Sequence, residues 1–234
     1  VASEVDICNI ALGHLGDAAN IQSISPPDGS AQSEHCARFY PIARDALMEM
    51  HDWSFAMRRV ALAPLASNPS STWAYAYAAP SDMINVISVL DSAAADDSSV
   101  GIAAPLTWME TPIPMVNAGS YTPQPFTMEI DINGNQILLT NVGPSATLRY
   151  VARVTDTTKF SAGFIHCLTR SLAALLAGPV LKGDAGLRAS AAQQGIAFGR
   201  DGKGGLFGIA ATSDAGNKKS DIRTRHSVPW INGR

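Results

Sequence analysis

The sequence predicts an α+β protein in which helices from both ends of the chain form one body and a block of antiparallel strands is inserted between them. Apolar residues recur at helical spacing near both ends, whereas between about Ala63 and Thr155 the period shortens to two and proline becomes frequent. Asn133-Gly134 between two apolar runs adds a strong short-range hairpin signal.

At the start of the chain, Ser3 precedes Asp6 by three residues, the pattern of an N-cap with an acidic first turn. Val5, Cys8, Leu12 and Leu15 follow on one helical face, and Gly16 is a natural stop. The turn-rich Ser25-Pro26-Pro27-Asp28-Gly29-Ser30 leads to a second helix with the stripe Cys36, Tyr40, Ala43, Leu47 and Met50. Arg38, Arg44, Asp45, Glu49 and Asp52 lie off that stripe. The stripe crosses Pro41 in phase, which favours one kinked helix over a break with Tyr40 extended, although an interior proline costs about 3 kcal/mol. Trp53-Ser54-Phe55-Ala56 is expected to anchor the handover from helices to strands, with its rings buried.

In the strand region, Trp73, Tyr75 and Tyr77 alternate with alanines, and Phe126, Met128, Ile130 and Ile132 alternate with polar residues. The hairpin pairs Thr127–Ile132 with Gln136–Val142, and a further strand, Ala146–Val154, follows the Gly143-Pro144 turn. Asp91–Gly101 reads as a surface loop. Helical spacing resumes at Ser161, where Phe160 and Ile165 form a hydrophobic staple. Ile165, Leu168, Leu172 and Leu175 give that helix its stripe, and Gly178-Pro179 is expected to end it. A weaker helix, interrupted by Gly186 and Gly195, spans Asp184 to Phe198, and beyond Gly199 the composition reads as a loop or extended arm. The expected division is a helical body (1–62 and 156–199), an inserted β module (63–155) and a basic C-terminal arm (200–234).

At 234 residues, 46% hydrophobic and 16% charged, the chain is long enough for a substantial core. Cys8, Cys36 and Cys167 are too scattered for a disulfide framework and form no Cys-x-x-Cys pair, which fits synthesis in a reducing compartment. No signal-peptide pattern opens the sequence and no run of about 18 uncharged apolar residues occurs, so no membrane association is expected. The net charge of -3 conceals an asymmetry: residues 200–234 hold seven Lys or Arg against three Asp, a net +4, leaving −7 on the other 199 residues. Such a tail suits docking on a partner.

Signals for chemistry are weak. Cys8 and Cys36 lie on apolar stripes and Cys167 beside one, as small core hydrophobes do. Adjacent His166 and Cys167 point about 100° apart on a helix, which disfavours a dyad. The five histidines, 14, 35, 51, 166 and 226, show no metal-ligand spacing, so neither metal nor cofactor is expected. Ala197-Phe-Gly-Arg-Asp-Gly202-Lys203-Gly204 lacks the first glycine and the final hydroxyl of a phosphate loop, and no Gly-x-Ser-x-Gly occurs. Asp96, Asp97, Glu110 and Glu129 form no evident acid pair, and no basic stripe with interleaved aromatics marks a nucleic-acid reader.

Four blocks together resemble the head-to-tail adaptors of short-tailed bacteriophages, the tail tubular protein A type. They are Phe39-Tyr40-Pro41-Ile-Ala-Arg44-Asp45-Ala-Leu47 with Trp53-Ser-Phe55-Ala56 and Arg58-Arg59; Trp73-Ala-Tyr-Ala-Tyr77 with Pro80; Leu148 to Asp156; and the Leu172-Ala173 to Leu176-Ala177 helix. The resemblance covers most of residues 5–185. It implies a non-enzymatic virion protein, made in the host cytoplasm, that forms a ring, commonly of twelve copies, docks on the portal protein and carries the tail nozzle protein. Double-stranded DNA passes through the ring without sequence-specific binding, which an acidic wall favours. The same resemblance makes the C-terminal arm the portal-docking element, with Lys218, Lys219, Arg223, Arg225 and Trp230 as contacts. Cys8, Tyr40, Pro41, Leu47, Trp53, Phe55, Leu168 and Leu172 are expected to build the core. The alternatives are a virion-associated lytic enzyme acting on cell-wall polysaccharide and a different neck or tail completion protein.

Overall fold

A computed structural model describes residues 2–18, 20–90, 124–143 and 145–217. The Asp91–Gly101 loop, Asp96, Asp97, Glu110, Pro144 and His226 lie outside the described residues. Among the described residues the architecture is α+β: five α-helices and two three-stranded antiparallel sheets, stacked as a helical layer on two layers of strands.

The N-terminal helix α1 (Glu4–Gly13) starts at the expected N-cap, Ser3, whose hydroxyl accepts from the Asp6 amide; the Asp6 carboxylate also accepts from the Ser3 amide, which makes a full capping box. Helix α2 (Ala31–Glu49) runs unbroken through Pro41. Pro41 is exposed rather than part of the core, so its ring and the missing donor fall on the outer side of the helix. Its apolar stripe ends at Leu47 and Met48, because Met50 caps the helix and is exposed. Arg44, expected off the stripe, is buried over the Tyr40 ring and paired with Asp45.

Strand β1 (Met57–Ala61) begins inside the segment assigned to the helical body, so that body stops near Ala56. It pairs with β6 (Thr147–Ala152), which also pairs with β3 (Met83–Leu90). On β3, Met83, Val86 and Val89 face the second sheet while Ile84 and Ile87 face the helices. This three-residue spacing arises from two register shifts, and it hides the strand from a period-two reading. The second sheet orders β2 (Tyr75–Ala78), β5 (Gln136–Thr140) and β4 (Phe126–Ile130). The β4–β5 hairpin forms between the expected segments, but the strands are shorter, Ile132 lies exposed in the connection instead of a strand, and that connection has five residues: the Gly134 amide, at φ 84, donates to the Asp131 carbonyl, and the Asp131 amide donates to the Asn135 carbonyl. Asn133 keeps a negative φ, so the turn is a type I turn with a glycine bulge instead of a two-residue primed turn. Tyr77, Leu138, Leu148 and Tyr150 fill the space between the sheets.

After a short 3₁₀ turn, Thr157–Lys159, helix α3 (Ala162–Leu181) starts at Ser161, whose hydroxyl accepts from the Phe164 amide. It continues through Gly178-Pro179, contrary to expectation, because the Lys182 amide reaches the Gly178 carbonyl and completes a last turn. Leu168 and Leu172 are wholly buried as expected, whereas Leu175 is exposed and Phe164, Cys167, Leu176 and Ala177 complete the buried face. By length and composition α3 could cross a bilayer, but half of its apolar window is buried and it packs against α1, α2, α4 (Gly183–Phe198) and α5 (Gly205–Gly216). Gly186 is the close point between α3 and α4: a Cβ there would lie 2.8 Å from the Ala177 carbonyl oxygen.

Helix α5 corrects the predicted arm. Residues 199–205 reverse the chain tightly, with Gly205 at φ 57 held so near the end of α4 that a Cβ would collide with the Ile196 carbonyl. The six glycines at 199, 202, 204, 205, 208 and 216 therefore serve this reversal or lie within α5. They do not mark an extended segment.

Candidate functional site

The structure brings the Trp53 knot and the first half of the predicted arm together. Trp53 is wholly buried, its indole N–H donating to the Leu47 carbonyl at 2.9 Å, so it closes the C-terminal end of α2. Edge-on rings surround it: His51 at 4.8 Å, Phe164 at 5.1 Å and Phe207 at 6.0 Å between centroids. Phe55 stacks on it at 6.1 Å and meets Phe160 and Phe164 in turn.

Beside these rings the buried carboxylate of Asp214, on α5, accepts from the Ser54 amide at 3.0 Å, from the Ser54 hydroxyl, and makes a 3.2 Å contact with His51 Nε2. Ser54 and His51 thus share the Asp214 carboxylate, which fastens α5 to the turn that follows α2. Neither Asp214 nor Phe207 was singled out from sequence. Phe207, Ala210 and Asp214 do recur at helical spacing on one buried face, but four glycines before them obscure it.

The other expected core residues separate into two groups. Cys8 and Cys36 meet across α1 and α2, and the hydrogen bond from that contact, then burial, pushes the Cys8 thiol far above its ordinary range. Burial pushes the Cys167 thiol up to about 12 and also raises the Tyr40 phenol. Cys8 and Cys167 therefore stay protonated at neutral pH and pack as hydrophobes. Leu47, Leu168 and Leu172 are wholly or almost wholly buried, and Phe55 is half-buried.

Carboxylates on the body face cations. Asp45 bridges Arg44 at 2.8 Å and Arg153 at 2.9 Å, and Asp82 pairs with Arg58 at 2.6 Å and accepts from the Tyr150 hydroxyl at 3.1 Å. Among the described residues, no three His, Cys, Asp or Glu side chains converge as a metal site. The predicted docking residues Lys218, Lys219, Arg223, Arg225 and Trp230 lie outside the described residues. No protein-family model matches the chain, and no curated protein matches it either.

Proposed function

We propose that the chain is a structural head-to-tail adaptor of a phage virion, a ring-forming, non-enzymatic protein that docks on the portal protein, extends the DNA channel and supports the tail nozzle. The supporting observation is the fastening of α5. Residues 200–217 carry two basic and two acidic side chains and belong to the folded body, so the whole +4 of the C-terminal segment falls on 218–234. Five cations and Trp230 thus follow directly from the end of a helix tied to the core, an arrangement suited to a docking element. An acidic remainder suits a channel through which phosphates must slide without binding.

Two truncations test this reading. Removing everything after Asn217 should leave a folded protein that no longer decorates purified portal rings in electron micrographs. Removing everything after Gly199 should also unfold the body, because it uncovers Trp53 and leaves Ser54 without its acceptor. Portal binding undiminished by the first truncation would overturn the assignment of the docking element.

A further inference from the structure

We propose that Asn133-Gly134, at the tip of the β4–β5 hairpin, is a site of spontaneous deamidation that Asp131 keeps latent in the folded chain. The reaction needs an asparagine side-chain amide, the backbone nitrogen of the next residue and water. A glycine in that next place leaves the nitrogen unshielded, and asparagine is among the thermolabile residues. Both residues are exposed here, and a Cβ on Gly134 would meet nothing within 4 Å, so solvent reaches the reacting atoms.

In the first step hydroxide removes the proton of the Gly134 amide, and the nitrogen electron pair forms a bond to Asn133 Cγ. The Cγ–Nδ2 bond breaks, and Nδ2 takes a proton from water and departs as ammonia, which restores the hydroxide. Water then opens the five-membered imide at either carbonyl, leaving an aspartate or an isoaspartate at position 133. Either product sets a second carboxylate beside Asp131, and the isoaspartate also lengthens the backbone of the turn by one methylene.

Asp131 holds both reacting groups away from this course. Its carbonyl accepts from the Gly134 amide at 3.0 Å and so engages the proton that must leave. Its carboxylate accepts from the Asn133 amide at 2.8 Å and lies 3.4 Å from Asn133 Nδ2, which draws the side-chain amide back toward the start of the turn. The Asn135 amide, at 2.8 Å, and its Nδ2, at 3.2 Å, complete the clasp. The Asn135 amide above all, and these bonds together, hold the Asp131 carboxyl below its ordinary pKa and keep it charged at neutral pH. That charge opposes a second negative charge forming on the Gly134 nitrogen. The inference is independent of the adaptor reading, since it rests on the hairpin alone.

Peptide mapping by mass spectrometry, with isoaspartate counted at each asparagine, tests the site on the full chain aged in mildly alkaline buffer with and without guanidinium chloride. In denaturant, product should gather at Asn133. In the folded chain it should form at least about tenfold more slowly, the factor that one hydrogen bond to a charged group supplies. Asp131→Ala should recover most of that factor in native buffer while hydrogen exchange in β5 stays slow. Should the ladder loosen in that variant, Asp131→Asn decides, since it keeps the shape and an acceptor oxygen without the charge and should speed the reaction about threefold. Glu129→Gln, at an exposed acid of the same hairpin, should leave the rate at Asn133 unchanged. Asn232-Gly233, the same dipeptide near the end of the sequence, serves as the internal standard for buffer and handling. No product at Asn133 in denaturant, equal rates in the folded and unfolded chain, or a native rate that neither Asp131 variant raises would each overturn the proposal.

Discussion

Trp53 and Tyr77 are both wholly buried, the first at the centre of the helical layer and the second between the sheets, yet their surroundings differ in kind. Besides the adjacent His51 and Phe55, the neighbours of Trp53 are side chains from distant parts of the chain: Phe164 from α3, Phe207 from α5 and, beside them, Asp214 bonded to Ser54 across 160 residues. Tyr77 sits in a strand already paired with β5, and its hydroxyl adds bonds to the Val142 and Gly143 carbonyls at 3.0 and 2.7 Å. In the helical layer side chains join the two ends of the chain. In the β module the backbone ladder does most of the joining, and side chains fill the gap.

That difference predicts an order of sensitivity. Trp53→Ala removes the ring on which α2, the turn after it, α3 and α5 converge and should cost about 3–5 kcal/mol in urea unfolding. Asp214→Ala leaves the Ser54 amide without its acceptor and loosens α5, at about 2–3 kcal/mol. Tyr77→Phe keeps the ring and the ladder and deletes only the hydroxyl bonds, so about 1 kcal/mol is expected. A loss at Tyr77→Phe equal to that at Asp214→Ala would break the contrast between the two regions. Hydrogen exchange sharpens it: Asp214→Ala should speed exchange in α5 and at Ser54 while leaving β5 protected.

The same difference governs what could be read in the sequence. The N-cap at Ser3, the unbroken phase across Pro41 and a hairpin around Asn133-Gly134 are local signals, and each appears in the structure, the hairpin with shorter strands than expected. Strand β3 was invisible because two bulges turn a period of two into a period of three. Helix α5 was invisible for another reason. Its buried face carries only Phe207, Ala210 and Asp214, and besides α3 and α4 its partners include Trp53 and Ser54, about 150 residues away, which no window on the sequence contains. The Trp53 knot was legible as an anchor from its aromatic content, but its acceptor Asp214 looked like an ordinary tail acid.

The smallest effect separates the two regions by pH. In the α1–α2 connection, Asp28 accepts from the Gln22 amide at 2.8 Å and from the Ser30 hydroxyl and amide at 2.6 and 2.9 Å, which holds its pKa at about 2. The Asp131 carboxylate in the hairpin is lowered too, chiefly by the Asn135 amide. Each folded carboxylate titrates below its unfolded value of 3.8, so between the two values the unfolded chain binds more protons. The stabilisation is therefore complete above about pH 4 and, for Asp28, vanishes as pH falls toward 2. Asp28→Asn should flatten the fall in urea midpoint between pH 4 and pH 2, and Asp131→Asn should do so less. Asp28 fastens the N-cap residue Ser30 and so the start of α2, whereas the hairpin near Asp131 keeps its ladder when the carboxylate is gone. An unchanged acid slope in Asp28→Asn would mean that the backbone of the connection holds α2 in place without its carboxylate, and the helical layer would then be as indifferent to that side chain as the sheets are to theirs.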